Sequence, residues 1–150
     1  MGRNPRKINV LFLCTGNACR SQMAEGWTRH LKSDQIEPFS AGIAPAGLSQ
    51  RAVEVMAEAG VDISNQRSKH IDDLPDIPFD YVVTLCDYVR QLCHTWPGPG
   101  KLIHKPFDDP SFIQGNEQQV MNAFRITRDR IRAFIETLPQ SLEDSPQNEA

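Results

Sequence analysis

Four cysteines, Cys14, Cys19, Cys86 and Cys93, are the residues best placed for chemistry. The first two fall in the run Cys14-Thr15-Gly16-Asn17-Ala18-Cys19-Arg20-Ser21, which follows an apolar stretch, INVLFL, at residues 8–13. The run leads into a segment carrying Met23, Trp27 and Leu31 at a spacing of four, the spacing of one helix face. A loop wrapped onto a helix N-terminus turns backbone N–H groups inward and adds the positive end of the helix dipole, a cradle for a tetrahedral oxyanion. The same field lowers the pKa of a thiol, so Cys14 is expected as a thiolate nucleophile. Arg20 can grip two anion oxygens with its planar fork, and the Ser21 hydroxyl can donate to the thiolate. The Cys-x5-Arg spacing alone is common; set between a strong strand and an amphipathic helix it is far more specific. Cys19, inside the loop, reads as structural.

Asp109 precedes Pro110 in a loop beyond a short apolar segment. A carboxylic acid there could protonate an oxygen leaving the oxyanion as Cys14 attacks. On this segment alone ordinary turn chemistry is the better explanation, since Asp-Asp-Pro is a good turn sequence, and Asp108 is as eligible by composition. Cys86 ends the run YVVTL. If its strand neighbours that of Cys14, the axes lie about 4.8 Å apart, within reach of a disulfide whose Cα atoms tolerate about 4.4–6.8 Å. Cys93 follows seven positions on, and a helix of that length spans about 10.5 Å. A Cys86–Cys93 bond therefore requires the intervening segment to unwind, so the spacing permits a redox relay. Zinc fits poorly, because Cys14/Cys19 just meets the usual ligand spacing and Cys86/Cys93 does not. His30, His70, His94 and His104 share no spacing and read as surface or satisfied residues.

The chain has 150 residues, enough for one domain with its own core. Its formal net charge is -3, all of it supplied by Glu143, Asp144 and Glu149, since residues 139–150 contain no Lys or Arg. A neutral body with an acidic tail argues against a general nucleic-acid binder. The longest apolar run near the start is far below a membrane span, and it lacks the features of a secretory signal, so a cytoplasmic protein is expected. In a reducing compartment the cysteines are not expected to form a static disulfide framework.

Strands are expected at residues 8–13, 38–41 and 81–85, with a short fourth at 101–104. Helices are expected at 21–31, after a Ser49 cap with Ala52, Val53, Met56 and Ala59 inward, and from about Asn116 to Leu138. This alternation implies an α/β fold, a doubly wound, mainly parallel four-stranded sheet of order 2-1-3-4 with helices on both faces. Ligands then bind beyond the carboxyl ends of strands 1 and 3, where Cys14 and Cys86 fall. Residues 1–7 are expected to be mobile, 8–138 to form one catalytic domain, and 139–150 to be disordered.

The chain resembles the low-molecular-weight protein tyrosine phosphatase superfamily, and within it the thioredoxin-coupled arsenate reductases. The resemblance rests on residues 14–27, on Ser40-Ala41-Gly42-Ile43, Asp62-Ile63-Ser64-Asn65-Gln66, Val82-Val83-Thr84-Leu85-Cys86 and Phe107-Asp108-Asp109-Pro110. It implies that Cys14 attacks arsenate, that Arg20 and the amides of residues 15–21 bind the oxyanion, and that Asp109 is the general acid. It further implies a Cys14–Cys86 disulfide as arsenite leaves, then a Cys86–Cys93 disulfide reduced by thioredoxin, with no bound cofactor. Members with a potassium site use Asn, Glu, Ser and Asp. Asn17, Glu25 and Ser40 match, but Lys69 takes the fourth place, so the site is expected to be lost and activity to be insensitive to potassium. A monomer is the default. The rivals are a phosphotyrosine phosphatase, which needs neither Cys86 nor Cys93, and a non-catalytic oxyanion-binding sensor.

Overall fold

The computed structural model describes residues 6–87 and 100–145. Strand β1 (Ile8–Cys14) is buried from Val10 onward, and its neighbours on both sides run parallel to it. The sheet has four strands in the order β2-β1-β3-β4, with β2 at Ile36–Gly42, β3 at Tyr81–Thr84 and β4 at Lys101–His104. This is the expected topology. It puts the switch point between β1 and β3, whose register pairs Leu13 with Thr84 and so brings both strand exits to one rim.

Helices α1 (Arg20–Leu31), α2 (Gln50–Glu58), α3 (Glu117–Glu136) and α4 (Gln140–Asp144) cover the sheet. Helix α1 begins at Arg20, one residue earlier than expected, so the arginine lies on its first turn. Met23 and Trp27 are inside, while Leu31 is half-buried against the core. In α2, Ser49 caps the helix by accepting from the Ala52 N–H, and Gly60, at φ +85°, follows its end in a conformation glycine adopts cheaply. Helix α3 starts with a reciprocal cap between Asn116 and Gln119.

Three expectations need correction. Strand β2 spans Ile36–Gly42 rather than 38–41, and Pro38 sits within it. The strand is at the sheet edge, where a residue without an N–H costs no ladder bond on its open side. The buried face of α2 is Ala52, Val55 and Met56; Val53 is only partly buried, because i, i+3 and i+4 share a face and i+1 does not. The tail is ordered through Asp144 as α4, which buries Leu142 completely. The Lys101 ammonium donates to the carbonyls of Leu142 and Glu143 at 3.0 and 3.1 Å and ties that end of the helix to β4. One leucine and two carbonyls anchor a segment that is otherwise polar. Among the described residues, no helix is long and apolar enough to cross a membrane.

Candidate active site

The run after β1 is fixed from outside by its carbonyls. Thr15 accepts from the N–H groups of Ile43 and Ala44, Gly16 from Ala46 and the Ser68 hydroxyl, and Ala18 from Ser49. Because the N–H of a trans peptide unit points opposite to its C=O, these contacts turn the amides of Gly16 and Cys19 away from the 43–49 segment. Gly42 makes the close approach possible. A Cβ there would lie 2.6 Å from the Thr15 carbonyl oxygen and 2.9 Å from the Asn17 nitrogen.

Asn17 is the keystone of the loop. It is fully buried and has φ +46°, a left-handed conformation uncommon outside glycine. Its Oδ1 accepts from the Lys69 backbone N–H at 2.9 Å and from Gln22 Nε2 at 3.1 Å. A backbone N–H can only donate, so this contact fixes which end of the amide is oxygen and directs Nδ2 at Ser21 Oγ, 2.7 Å away. Having accepted from Asn17, the Ser21 hydroxyl has its own proton free for Cys14 Sγ at 2.9 Å. The chain of bonds from Lys69 to Cys14 thus aims one donor at the sulfur.

Arg20 and Asp109 close the other side. Arg20 Nη1 donates to the Phe107 carbonyl at 2.9 Å, and Nη2 pairs with Asp109 Oδ2 at 3.2 Å. Asp109 also caps the short turn Pro110–Phe112 by accepting from Ser111 N–H at 2.9 Å and the Ser111 hydroxyl at 2.6 Å. The ion pair with Arg20 is what separates Asp109 from Asp108. Cys19 is buried, and desolvation, reinforced by the nearby Asp109 and Cys14, drives its thiol pKa far up.

Cys86 lies just beyond β3, buried, with its Sγ 3.2 Å from the Thr15 hydroxyl. Cys14, Arg20, Cys86, Asp109 and Phe112 all line one cleft of about 740 Å³. Sequence reasoning brought Cys14, Arg20, Cys86 and Asp109 to one rim but missed the roles of three other side chains. The Thr15 side chain reaches Cys86 rather than serving only through its amide, Asn17 works through its side chain, and His104 bonds both Thr84 and Asp87, at 2.8 and 2.7 Å. An asparagine in a glycine-like turn position was a readable signal; the other two depend on register. Cys93 and His94 lie outside the described residues.

The family model for the low molecular weight phosphotyrosine protein phosphatases matches residues 9–148. The chain belongs to this family. As a low-molecular-weight phosphatase-family chain it is 45% identical over 132 residues to an arsenate reductase of Bacillus subtilis (strain 168), covering 85% of this chain and 95% of that one. Among solved structures, an arsenate reductase in its reduced state superposes with a TM-score of 0.70 at 28% identity, covering 90% of this chain and 98% of that one. The thioredoxin-dependent arsenate reductase Cg_ArsC1' of Corynebacterium glutamicum matches with a TM-score of 0.63 at 27% identity over 90% of this chain and 63% of that one. The family's fold is therefore the one on which Cys14 and Arg20 are displayed.

Proposed function

We propose that the chain reduces arsenate to arsenite through the thiols of Cys14, Cys86 and Cys93, with thioredoxin as the electron donor. The observation that carries this reading is the second buried cysteine on the nucleophile's cleft, its sulfur beside a hydroxyl. A phosphatase of this family has no use for it, whereas reduction requires two electrons and hence a second thiol.

In the first step the Cys14 thiolate attacks As(V) held by Arg20 and the loop amides. An arsenate oxygen leaves as water, protonated by Asp109 once the oxyanion has taken over the Arg20 fork. Cys86, as thiolate, then attacks Cys14 Sγ. The S–As bond breaks, its electron pair stays on arsenic, and As(III) leaves as arsenite while a Cys14–Cys86 disulfide forms. Cys93 attacks Cys86 Sγ and frees Cys14, and the dithiol of thioredoxin reduces the Cys86–Cys93 bond.

Potassium has no place in this reading. Lys69 Nζ lies 3.5 Å from Ser40 Oγ and 3.8 Å from Glu25 Oε1, and Ser40 donates to the same carboxylate oxygen at 2.5 Å. With Asn17 Oδ1 already accepting from Lys69 N–H and Gln22, these residues do not fit a cation; the lysine supplies that charge. Burial lowers the Lys69 pKa, opposed by Glu25.

Phosphate shares the shape and charge of arsenate, and Phe112 is 81% exposed at the rim, so weak hydrolysis of aryl phosphates accompanies reduction. The test is NADPH oxidation coupled through thioredoxin reductase and thioredoxin. Wild type is expected to turn over arsenate, and Cys14→Ser, Cys86→Ser and Cys93→Ser each to lose steady-state activity. An inactive wild type that hydrolyses phosphotyrosine briskly would make the chain a phosphatase.

A further inference from the structure

The exit of β3 is gripped by a side-chain relay that oxyanion binding does not use. His104, on β4, is the register partner of Thr84 on β3, so its ring lies across the strand end. Its Nδ1 is 2.8 Å from Thr84 Oγ1, a hydroxyl that also lies 3.4 Å from the Ile103 carbonyl oxygen. Its Nε2 is 2.7 Å from Asp87 Oδ1. An ionised carboxylate only accepts, so Nε2 carries the proton in that bond, whose length is in the charge-assisted range. The two ends differ in freedom. Thr84 is fully buried and the His104 side chain is 14% exposed, whereas the Asp87 side chain is 78% exposed. The sheet therefore holds the imidazole, and the imidazole holds Asp87.

Thr84 and Asp87 flank Leu85 and Cys86. The contact chain from Thr84 through His104 to Asp87 thus closes a ring around the two residues that carry the second sulfur onto the cleft. Resting on the reduction reading above, we infer that His104 is a positioning residue for Cys86. It fixes the backbone on the far side of Cys86, so that the sulfur meets the Thr15 hydroxyl and faces the Cys14 adduct. An attack geometry displaced by about 1 Å can cost up to a hundredfold in rate, while the loop that forms the anion cradle has its own braces in residues 43–49 and 68–69.

The measurement is arsenite release in a single turnover of the full chain, together with the affinity for inorganic phosphate. His104→Leu is expected to slow release about tenfold while phosphate affinity stays within about twofold. His104→Gln, whose amide can still donate toward Asp87, is expected to recover most of the rate. Asp87→Asn, an exposed change that leaves the core untouched, is expected to slow release by less, and adding it to His104→Leu to slow it no further, the signature of one shared contact. Asp87→Asn also keeps the inference testable should His104→Leu fail to fold. Wild-type release rates in His104→Leu or in Asp87→Asn would overturn the positioning role, as would a parallel loss of rate and phosphate affinity. A wild-type protein that releases no arsenite overturns the reduction reading itself, and the inference with it.

Discussion

The loop after β1 and the exit of β3 each begin with a cysteine at a strand's carboxyl end, yet they are held in different ways. The Cys14 loop is over-determined. Outer partners take its carbonyls, a left-handed asparagine braces it with bonds to three residues, and it runs directly into a helix. Among the described residues, Cys86 is secured by the Thr15 hydroxyl at its sulfur, the His104 bond to the next residue and the backbone bonds of Leu85 to Leu13 and Phe107. A site that must bind the same anion in every cycle gains from rigidity. In the proposed relay, a sulfur that exchanges partners is better served by contacts that can be broken one at a time.

The contrast is sharpest if each loop is broken in turn. Replacing Arg20 with Lys removes the bidentate fork and the Asp109 ion pair, and should lower kcat/KM for arsenate by roughly 10²–10³-fold, measured by steady-state kinetics. Asn17→Ala should lose about 2–4 kcal/mol of stability in urea denaturation, because it strands buried polar partners and puts a Cβ-bearing residue without a compensating side chain at φ +46°. A loss below 1 kcal/mol would mean that the loop is not braced as described. On the β3 side, Thr15→Val deletes one hydroxyl and should leave phosphate affinity unchanged while slowing arsenite release by about tenfold, the value of one bond to a charged group. Equal losses of affinity and release would erase the distinction between the two regions. The smallest effect concerns the underside of the cradle. Exchanging sodium for potassium should change kcat/KM by less than about twofold, because the Lys69 ammonium already faces Glu25 and Ser40; a several-fold rise would show that a cation still binds there.

The β1 loop was legible in the sequence because its information is local. An apolar strand, a Cys-x5-Arg run and a helix stripe at a spacing of four fix strand, loop and helix within 24 residues of chain. Asp109 and Cys86 could be placed on the same rim because a parallel sheet of order 2-1-3-4 gathers strand exits; composition left Asp108 as eligible as Asp109, the resemblance chose Asp109, and in the structure the ion pair with Arg20 sets it apart. The roles of the Thr15 and His104 side chains were not legible, and Asn17 was legible only as a turn asparagine, without its partners. Each depends on a partner set by register or by a loop crossing, as Thr84 opposite His104 and Lys69 beside Asn17 illustrate. Helix α4 escaped notice for a related reason, since its single buried leucine and the Lys101 contacts carry no periodic pattern.

The central claim is that the braced cysteine and the tethered one act in sequence on one arsenic atom. It is tested most directly by treating reduced Cys93→Ser protein with one equivalent of arsenate and mapping disulfides under non-reducing conditions. One arsenite released per chain together with a Cys14–Cys86 disulfide is the predicted result. Arsenite released without that disulfide, or no arsenite from a protein that still binds phosphate, would contradict it.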